Sequence, residues 1–524
     1  MNQQDELTGL SLLAGRSATH RGKAFRAYAP ASGQPLDPFF YSASEPELNE
    51  AVEHAAAAAP FLSASSGADR ARLLRAMADA IDSASAALVE RAHLETALPE
   101  PRLKGEVART SNQLRLFAQV AEEGSWVMAR IDTADPQRTP PKPDIRSMLR
   151  PLGPVAVFGA SNFPIAFSVA GGDTASALAA GNPVVVKAHP AHPATSEIAA
   201  RALAHAVQSC DFPPGTFSLL FDAGTRIGSA LIRHPLIRAA GFTGSFKGGR
   251  ALMDLAAGRD QPIPVYAEMG STNPVFLLPR ALRERGESIA QGLHGSFTLG
   301  AGQFCTKPGL VFLNSASAPF VARLRTLTHA TPGFNLLSSG IAESYAGGLR
   351  QRSALSSTSG LQPEAGFAAQ AALLETDYNA YLREPSLQEE LFGPSTLVVT
   401  GTGHEEMLAA ARSLTGHLAA VIFGTEDDLR EYADLVAILE TKVGRIVFNG
   451  FPTGVEVSHA MVHGGPYPAT SEGRSTSVGS QAIFRFARPV CYQDFPQAAL
   501  PAEVQDANPR KILRLWNGAW QLNP

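Results

Sequence analysis

The sequence predicts an α/β protein built on parallel sheets. Short β-branched runs at 154–158, 183–187, 217–220 and 238–242 alternate with helical segments such as 194–207, which is a βαβ series. A second α/β block spans about 271–447, with predicted strands at 275–278, 310–313 and 397–400. The chain has 524 residues, 45% hydrophobic and 18% charged, enough to bury a large core and to divide into two or three domains.

Before the first strand run the pattern is helical. Ser44 and Glu47 have the spacing of a capping box, so the Ala-rich stretch that follows starts a helix. Leu73, Leu74, Met77, Ile81 and Leu88 recur at helical spacing and predict a second helix, and 103–120 predicts a third. Residues 133–149 are polar and carry Pro136, Pro140, Pro141 and Pro143, and they read as an extended or edge-strand excursion outside the core.

Charge and cysteine content exclude several classes. A net charge of -4 with no dense Lys/Arg block gives no footprint for nucleic acid. The first residues lack a signal-peptide pattern and no apolar run reaches membrane-spanning length, so a cytoplasmic protein without a membrane partner is expected. The three cysteines, Cys210, Cys305 and Cys491, have neither disulfide nor zinc spacing and suit a reducing compartment. Cys210 closes a predicted helix and Cys491 lies in an apolar segment, so both read as structural. His189 and His192 lack a companion carboxylate or cysteine cluster and read as loop histidines, leaving no metal site.

In open α/β sheets ligands bind beyond the carboxyl ends of strands, where 159–162, Lys187 and 243–245 fall. The stretch 241–248, Gly-Phe-Thr-Gly-Ser-Phe-Lys-Gly, follows a strand and opens a helix, so it could hold a pyrophosphate; a turn that needs small residues explains it equally well. Glu268 follows the predicted strand 263–267. Cys305 sits in Gly300-Ala301-Gly302-Gln303-Phe304-Cys305, a small-residue stretch that brings backbone close to a thiol. A strand-end carboxylate ahead of such a thiol is a candidate general base.

Taken in order, Asn162-Phe163-Pro164, Lys187, Phe242-Thr243-Gly244-Ser245, Glu268-Met269-Gly270, Gly302-Gln303-Phe304-Cys305, Glu390-Leu391-Phe392-Gly393-Pro394 and Asn449 resemble the aldehyde dehydrogenase superfamily over nearly the whole chain. The stretches 158–164, 170–175, 303–309 and 463–468 look closer to one branch, the α-ketoglutaric semialdehyde (2,5-dioxopentanoate) dehydrogenases and the related NADP-linked fatty aldehyde dehydrogenases. The resemblance implies a doubly wound NAD(P)-binding domain from 1–129, 148–270 and 450–480, a thiol-bearing catalytic domain at 271–449, and a bridging oligomerisation element from 130–147 and 481–524. An exposed bridging ribbon implies a homodimer or homotetramer.

Carried over residue by residue, the resemblance makes Cys305 the nucleophile, Asn162 with the Cys305 N–H the oxyanion hole, and Glu268 the base for thioester hydrolysis. Lys187 would bond the adenosine ribose, and Thr243, Gly244, Ser245 and Gly248 would meet the pyrophosphate. Glu390 would bond the nicotinamide ribose, with Phe392 supporting the ring.

Three departures matter. Where many members carry an acidic residue three positions after the lysine, this chain has Pro190; Arg226 could pair with a 2′-phosphate or be solvated, so the cofactor is NADP or NAD. Ser271 replaces a usual glycine. His463 stands in a Gly-Gly-Pro-Tyr context that replaces a common Ser-Gly element, and it reads either as an acid/base near the site or as a loop histidine.

The expected substrate is a small aldehyde. Phe163 and Phe167 would line its tunnel, and Phe304 flanks the thiol. Arg102, Arg109 and Arg115 are candidate cations for a substrate carboxylate. The expected reaction oxidises α-ketoglutaric semialdehyde to 2-oxoglutarate. A fatty or general aliphatic aldehyde dehydrogenase is the alternative within the class, and a non-catalytic protein keeping the fold is the alternative outside it.

Overall fold

The computed structural model describes residues 6–314 and 318–522. Its first sheet runs in the order Val265–Glu268, Ala239–Thr243, Val155–Phe158, Val184–Lys187, Phe217–Leu220, with two short antiparallel strands, Leu12–Leu13 and Arg16–Ser17, on the far edge. The five long strands are parallel. Alternate side chains serve two cores: Val155, Val157, Val184 and Val186 point into one, Ala156, Phe158 and Val185 into the other. A sheet covered on both faces therefore reads as continuous apolar runs. The strand order reverses at Val155–Phe158, and the loop after that strand carries Asn162.

The second sheet orders Ser356–Ser359, Ala372–Asp377, Ser395–Thr400, Leu310–Leu313, Val275–Leu277, His417–Phe423 and Val443–Phe448, and all pairs but the first are parallel. It too separates two cores, with Phe276 and Phe312 in one and Val275, Leu277 and Val311 in the other. A third, five-stranded sheet joins Ala487–Gln493, Ile145–Pro151, Arg130–Asp132, Arg514–Trp516 and Ala519–Gln521.

The capping box forms as read: Glu47 N–H donates to Ser44 Oγ (3.3 Å) and Ser44 N–H to Glu47 Oε2 (2.8 Å), opening the helix Glu45–Ala64. The helical spacing of 73–88 spans two helices, not one: Gly67–Ser83 stops and Ser85–Thr96 begins around Ala84, with Leu88 on the second. Both bury their apolar residues in the same core, so the spacing survives the break.

Residues 133–149 also differ from expectation. Their last part belongs to Ile145–Pro151, an interior strand because it pairs with Ala487–Gln493 on one side and Arg130–Asp132 on the other; Arg146 and Met148 point inward, and Arg146 is neutralised by Asp144 and Asp506, each at 2.7 Å. Cys491 is exposed on the edge strand Ala487–Gln493, so its neighbours' hydrophobicity did not mean burial; Cys210 is buried at the end of the helix Pro193–Ser209. The strand Val265–Glu268 is the open edge of the first sheet, and the segment around Ala469 and Ser471 covers it through Met269 N–H to Ala469 O (2.7 Å) and Ser471 N–H to Ala267 O (2.9 Å). No helix among the described residues is long and apolar enough to cross a membrane.

Candidate active site

Parallel register brings the candidate residues to one edge. Lys187 pairs with Phe158, Phe242 with Phe158, and Thr243 with Glu268, so the loops that follow these strands open on the same side. Cys305 comes from the second unit, at the end of a sharp turn in which Gly300, Ala301 and Gly302 have φ of 55°, 59° and 65°. The turn needs glycine because an added Cβ at Gly302 would lie 2.2 Å from Gly393 O. Asn273, itself at φ 46°, fixes the outgoing chain by donating its Nδ2 to Cys305 O (2.8 Å) and Lys307 O (2.9 Å).

Around the thiol, His463 Nε2 stands 3.4 Å from Cys305 Sγ and 2.9 Å from Glu268 Oε1. His463 and Glu268 are both buried. Glu268 Oε2 accepts from Ser477 Oγ at 2.7 Å, while Oε1 is buried without a well-directed donor. Burial pushes the Glu268 carboxyl up, but a charged His463 and the hydrogen bonds from His463, Ser477 and Cys305 outweigh it and hold the group below its ordinary value. Burial, reinforced by the charges of Glu268 and Glu390, holds the Cys305 thiol well above its ordinary value, opposed by its own backbone N–H. Left alone the sulfur is a thiol, and it needs a base to become a nucleophile.

Asn162 is buried beside the thiol, with Nδ2 donating to Gln303 O at 3.0 Å. Its loop is clamped from the helix Glu100–Glu123. Arg102 Nη2 donates to Asn162 O (2.7 Å), and Glu106 Oε2 accepts from Ile165 N–H (3.3 Å) and Ala166 N–H (3.4 Å). Three of the aromatic rings cluster beside the site: Phe163 is in edge contact with Phe167 (5.1 Å) and Phe304 (5.3 Å), and Phe167 with His463 (6.2 Å).

A cavity of about 820 Å³ joins Cys305, Asn162 and Glu268 to Thr243, Gly244, Ser245, Glu390 and Phe392. Ser245 caps the helix Phe246–Ala257, its Oγ accepting from Gly248 N–H (3.2 Å) and its own hydroxyl proton remaining available to an anion. Gly244 and Gly248 are small because Phe242 packs beneath them, an added Cβ meeting its ring at 2.6 and 3.0 Å. Glu390 lines the cavity with Oε1 buried and unpartnered, the acceptor a ribose hydroxyl requires. Burial pushes Glu390 up and Lys307 down, while each charge stabilises the other. Lys187 lies outside this cavity wall, buried at its strand end and pushed down to about 8 by burial, with Asp222 opposing. The donors and the open acceptor fit a nicotinamide dinucleotide.

Arg226 donates to Ala43 O (2.6 Å) and lies 3.8 Å from Glu45. His189 stacks on His192, whose Nε2 contacts Ala160 O at 2.8 Å. Among the described residues the only group of three with ligand-type atoms close together is Glu268, Cys305 and His463, within 4.8 Å. Ser477 and Glu106 carry no sequence signal for their places here, since each acts through a contact that only the folded chain creates.

An aldehyde dehydrogenase family model matches residues 17–335. The chain belongs to the aldehyde dehydrogenase family and is an NAD(P)-dependent aldehyde dehydrogenase. It is 48% identical to alpha-ketoglutaric semialdehyde dehydrogenase 2 of Azospirillum brasilense, covering 98% of this chain and 99% of that protein. It is 44% identical to the alpha-ketoglutaric semialdehyde dehydrogenase of Acinetobacter baylyi, covering 99% and 100%. A betaine aldehyde dehydrogenase variant from Staphylococcus aureus, solved with NAD+, shares the fold with a TM-score of 0.79 over 94% of this chain and 98% of that one, at 18% identity.

Proposed function

We propose that this chain oxidises α-ketoglutaric semialdehyde to 2-oxoglutarate through a thioester on Cys305. The observation that carries the substrate is identity of 48% over essentially full length to a relative bearing that name. The contact of Cys305, His463 and Glu268 supports the chemistry.

His463 Nε2 accepts the thiol proton across 3.4 Å, and the sulfur adds to the aldehyde carbon. The Asn162 amide and the Cys305 N–H stabilise the resulting alkoxide. When bound, the nicotinamide supplies the hydride acceptor that turns this adduct into a thioester. Glu268 then takes a proton from water, whose oxygen displaces the sulfur and releases the carboxylate. While His463 carries the thiol's proton, its charge lowers the basicity of Glu268. Ser477 occupies Oε2, so Oε1, 2.9 Å from His463 Nε2, is the oxygen that takes that proton from water.

Thr243, Gly244, Ser245 and Gly248 hold the pyrophosphate, Lys187 the adenosine ribose, and Glu390 with Phe392 the nicotinamide ribose and ring. Pro190 offers nothing to a ribose 2′ substituent and Arg226 is engaged elsewhere, which supports use of both NAD and NADP. Three unpaired cysteines support a reducing, cytoplasmic setting, and the exposed edges of the five-stranded sheet support a homodimer or homotetramer.

Steady-state NAD(P)H formation with both nucleotides and a panel including hexanal tests this reading. The semialdehyde is expected to have the highest kcat/KM, and a higher value for hexanal would reassign the enzyme to aliphatic aldehydes. Cys305→Ala is expected to be inactive and Glu268→Ala to give one burst of NAD(P)H before stalling; a linear full-rate course from either removes its role.

A further inference from the structure

We infer that Arg109, assisted by Arg445, is the site that receives the carboxylate of the substrate. The inference rests on the semialdehyde reading above and makes it specific. Three arginines of one helix could supply the cation, and their contacts separate them. Arg115 is consumed by Asp79 and Asp82, each at 2.7 Å. Arg102 gives Nη2 to Asn162 O, has Glu106 at 3.4 Å from Nε, and lies over Phe304 (4.4 Å) and Phe163 (5.0 Å), so it positions the oxyanion loop.

Arg109 is different. Arg102 also leaves Nε and Nη1 buried without a hydrogen-bond partner, but its Nε faces Glu106, whereas Arg109 gives Nη1 to Val455 O and leaves Nε and Nη2 buried with neither a hydrogen-bond nor an ion-pair partner. Those two atoms form the side-on fork of a guanidinium, the face that grips a carboxylate with two parallel bonds. This protein uses the same fork in Arg146–Asp144, Arg250–Asp254 and Arg325–Glu375. Two buried donors aimed at no acceptor are a standing demand for one.

The position suits a short ω-carboxylated aldehyde. Arg109 lies 5.3 Å over the Phe167 ring, and that same ring touches His463, the partner of Cys305. Arg109 and Arg445 line a second cavity of about 800 Å³, which shares no lining residue with the one at Cys305 and has Glu456 as its one carboxylate side chain. Arg445 is anchored by Gly454 O (3.1 Å) and Pro452 O (2.5 Å), so it adds positive field to the cavity while shaping the loop that holds Arg109. Burial lowers the pKa of both guanidiniums, and the charge of a thiolate at Cys305 opposes it.

The test is the ratio of kcat/KM for α-ketoglutaric semialdehyde to that for hexanal. Arg109→Gln is expected to lower the ratio about 100-fold, through KM more than kcat, because a carboxylate contact is made equally in ground and transition states. Arg109→Lys, which keeps the charge and loses the fork, should retain part of the ratio, and glutarate should inhibit it at least tenfold more weakly than it inhibits the unsubstituted enzyme. Equal losses on both aldehydes, or unchanged glutarate inhibition in Arg109→Lys, would overturn the assignment. A failure of the substrate reading is distinct: the unsubstituted enzyme would then show no preference for the semialdehyde.

Discussion

At the scale of single residues, the site is poised and not pre-activated. Burial and two neighbouring carboxylates keep Cys305 protonated, so the free enzyme should resist alkylation by iodoacetamide at pH 7 and react faster as pH rises past the ordinary thiol range. Removing one carboxylate charge stabilises the thiolate and lowers the thiol pKa. Glu268→Gln is thus expected to alkylate about tenfold faster at pH 8, the change in thiolate fraction for a one-unit shift; a slower reaction would mean that Glu268 acts chiefly as the thiol's base. Cys305, Glu268 and Asn162 were legible in the sequence because each stands in an ordered motif. Ser477 and the free fork of Arg109 were not, since a side chain's unused donors exist only relative to what folding packs around it. Cys491 was misread for a related reason: hydrophobic neighbours on a strand say nothing of which face meets solvent.

Among elements, the turn at 300–302 does the most with the least. Gly302→Ala must move either the turn or the Gly393 strand entry, because its Cβ would meet a backbone oxygen at 2.2 Å. We expect a strain of about 1–3 kcal/mol, seen as a lower thermal unfolding midpoint with a lost NAD(P)H burst. Ala301 tolerates φ 59° as it stands, and Ala301→Gly should leave the midpoint nearly unchanged, relief of left-handed strain being offset by a freer unfolded chain. The opposite ranking of the two variants would show that the turn is not held by Gly393. The long strands were readable because both faces are apolar, whereas Leu12–Leu13 and Arg16–Ser17 are only two residues each and exist through pairing. Helix breaks such as Ala84 leave periodicity intact and so escape it.

For the molecule as a whole, the five-stranded sheet ends in Ala519–Gln521, which exposes Trp520 at 52% beside Leu522 at 57%. An unpaired apolar edge of this kind invites a second copy. Sedimentation velocity is expected to give a dimer or tetramer, and Trp520→Glu to shift it toward smaller species with the fold retained; an unchanged distribution would move the interface elsewhere. The α/β class and the two large parallel sheets were legible from the run of strands. The third sheet was only partly so, because its strands come from 130–151 and 487–521, segments far apart in the chain that only folding pairs.

The closure of the first sheet's edge by residues 469–471 also sets an order in time. During synthesis the reactive sulfur leaves the ribosome 158 residues before the imidazole that can deprotonate it, and Ser477 emerges later still. A chain cut short anywhere in that interval lacks both the imidazole and the Ser477 hydroxyl, so it cannot assemble the site at which the thiol is acylated.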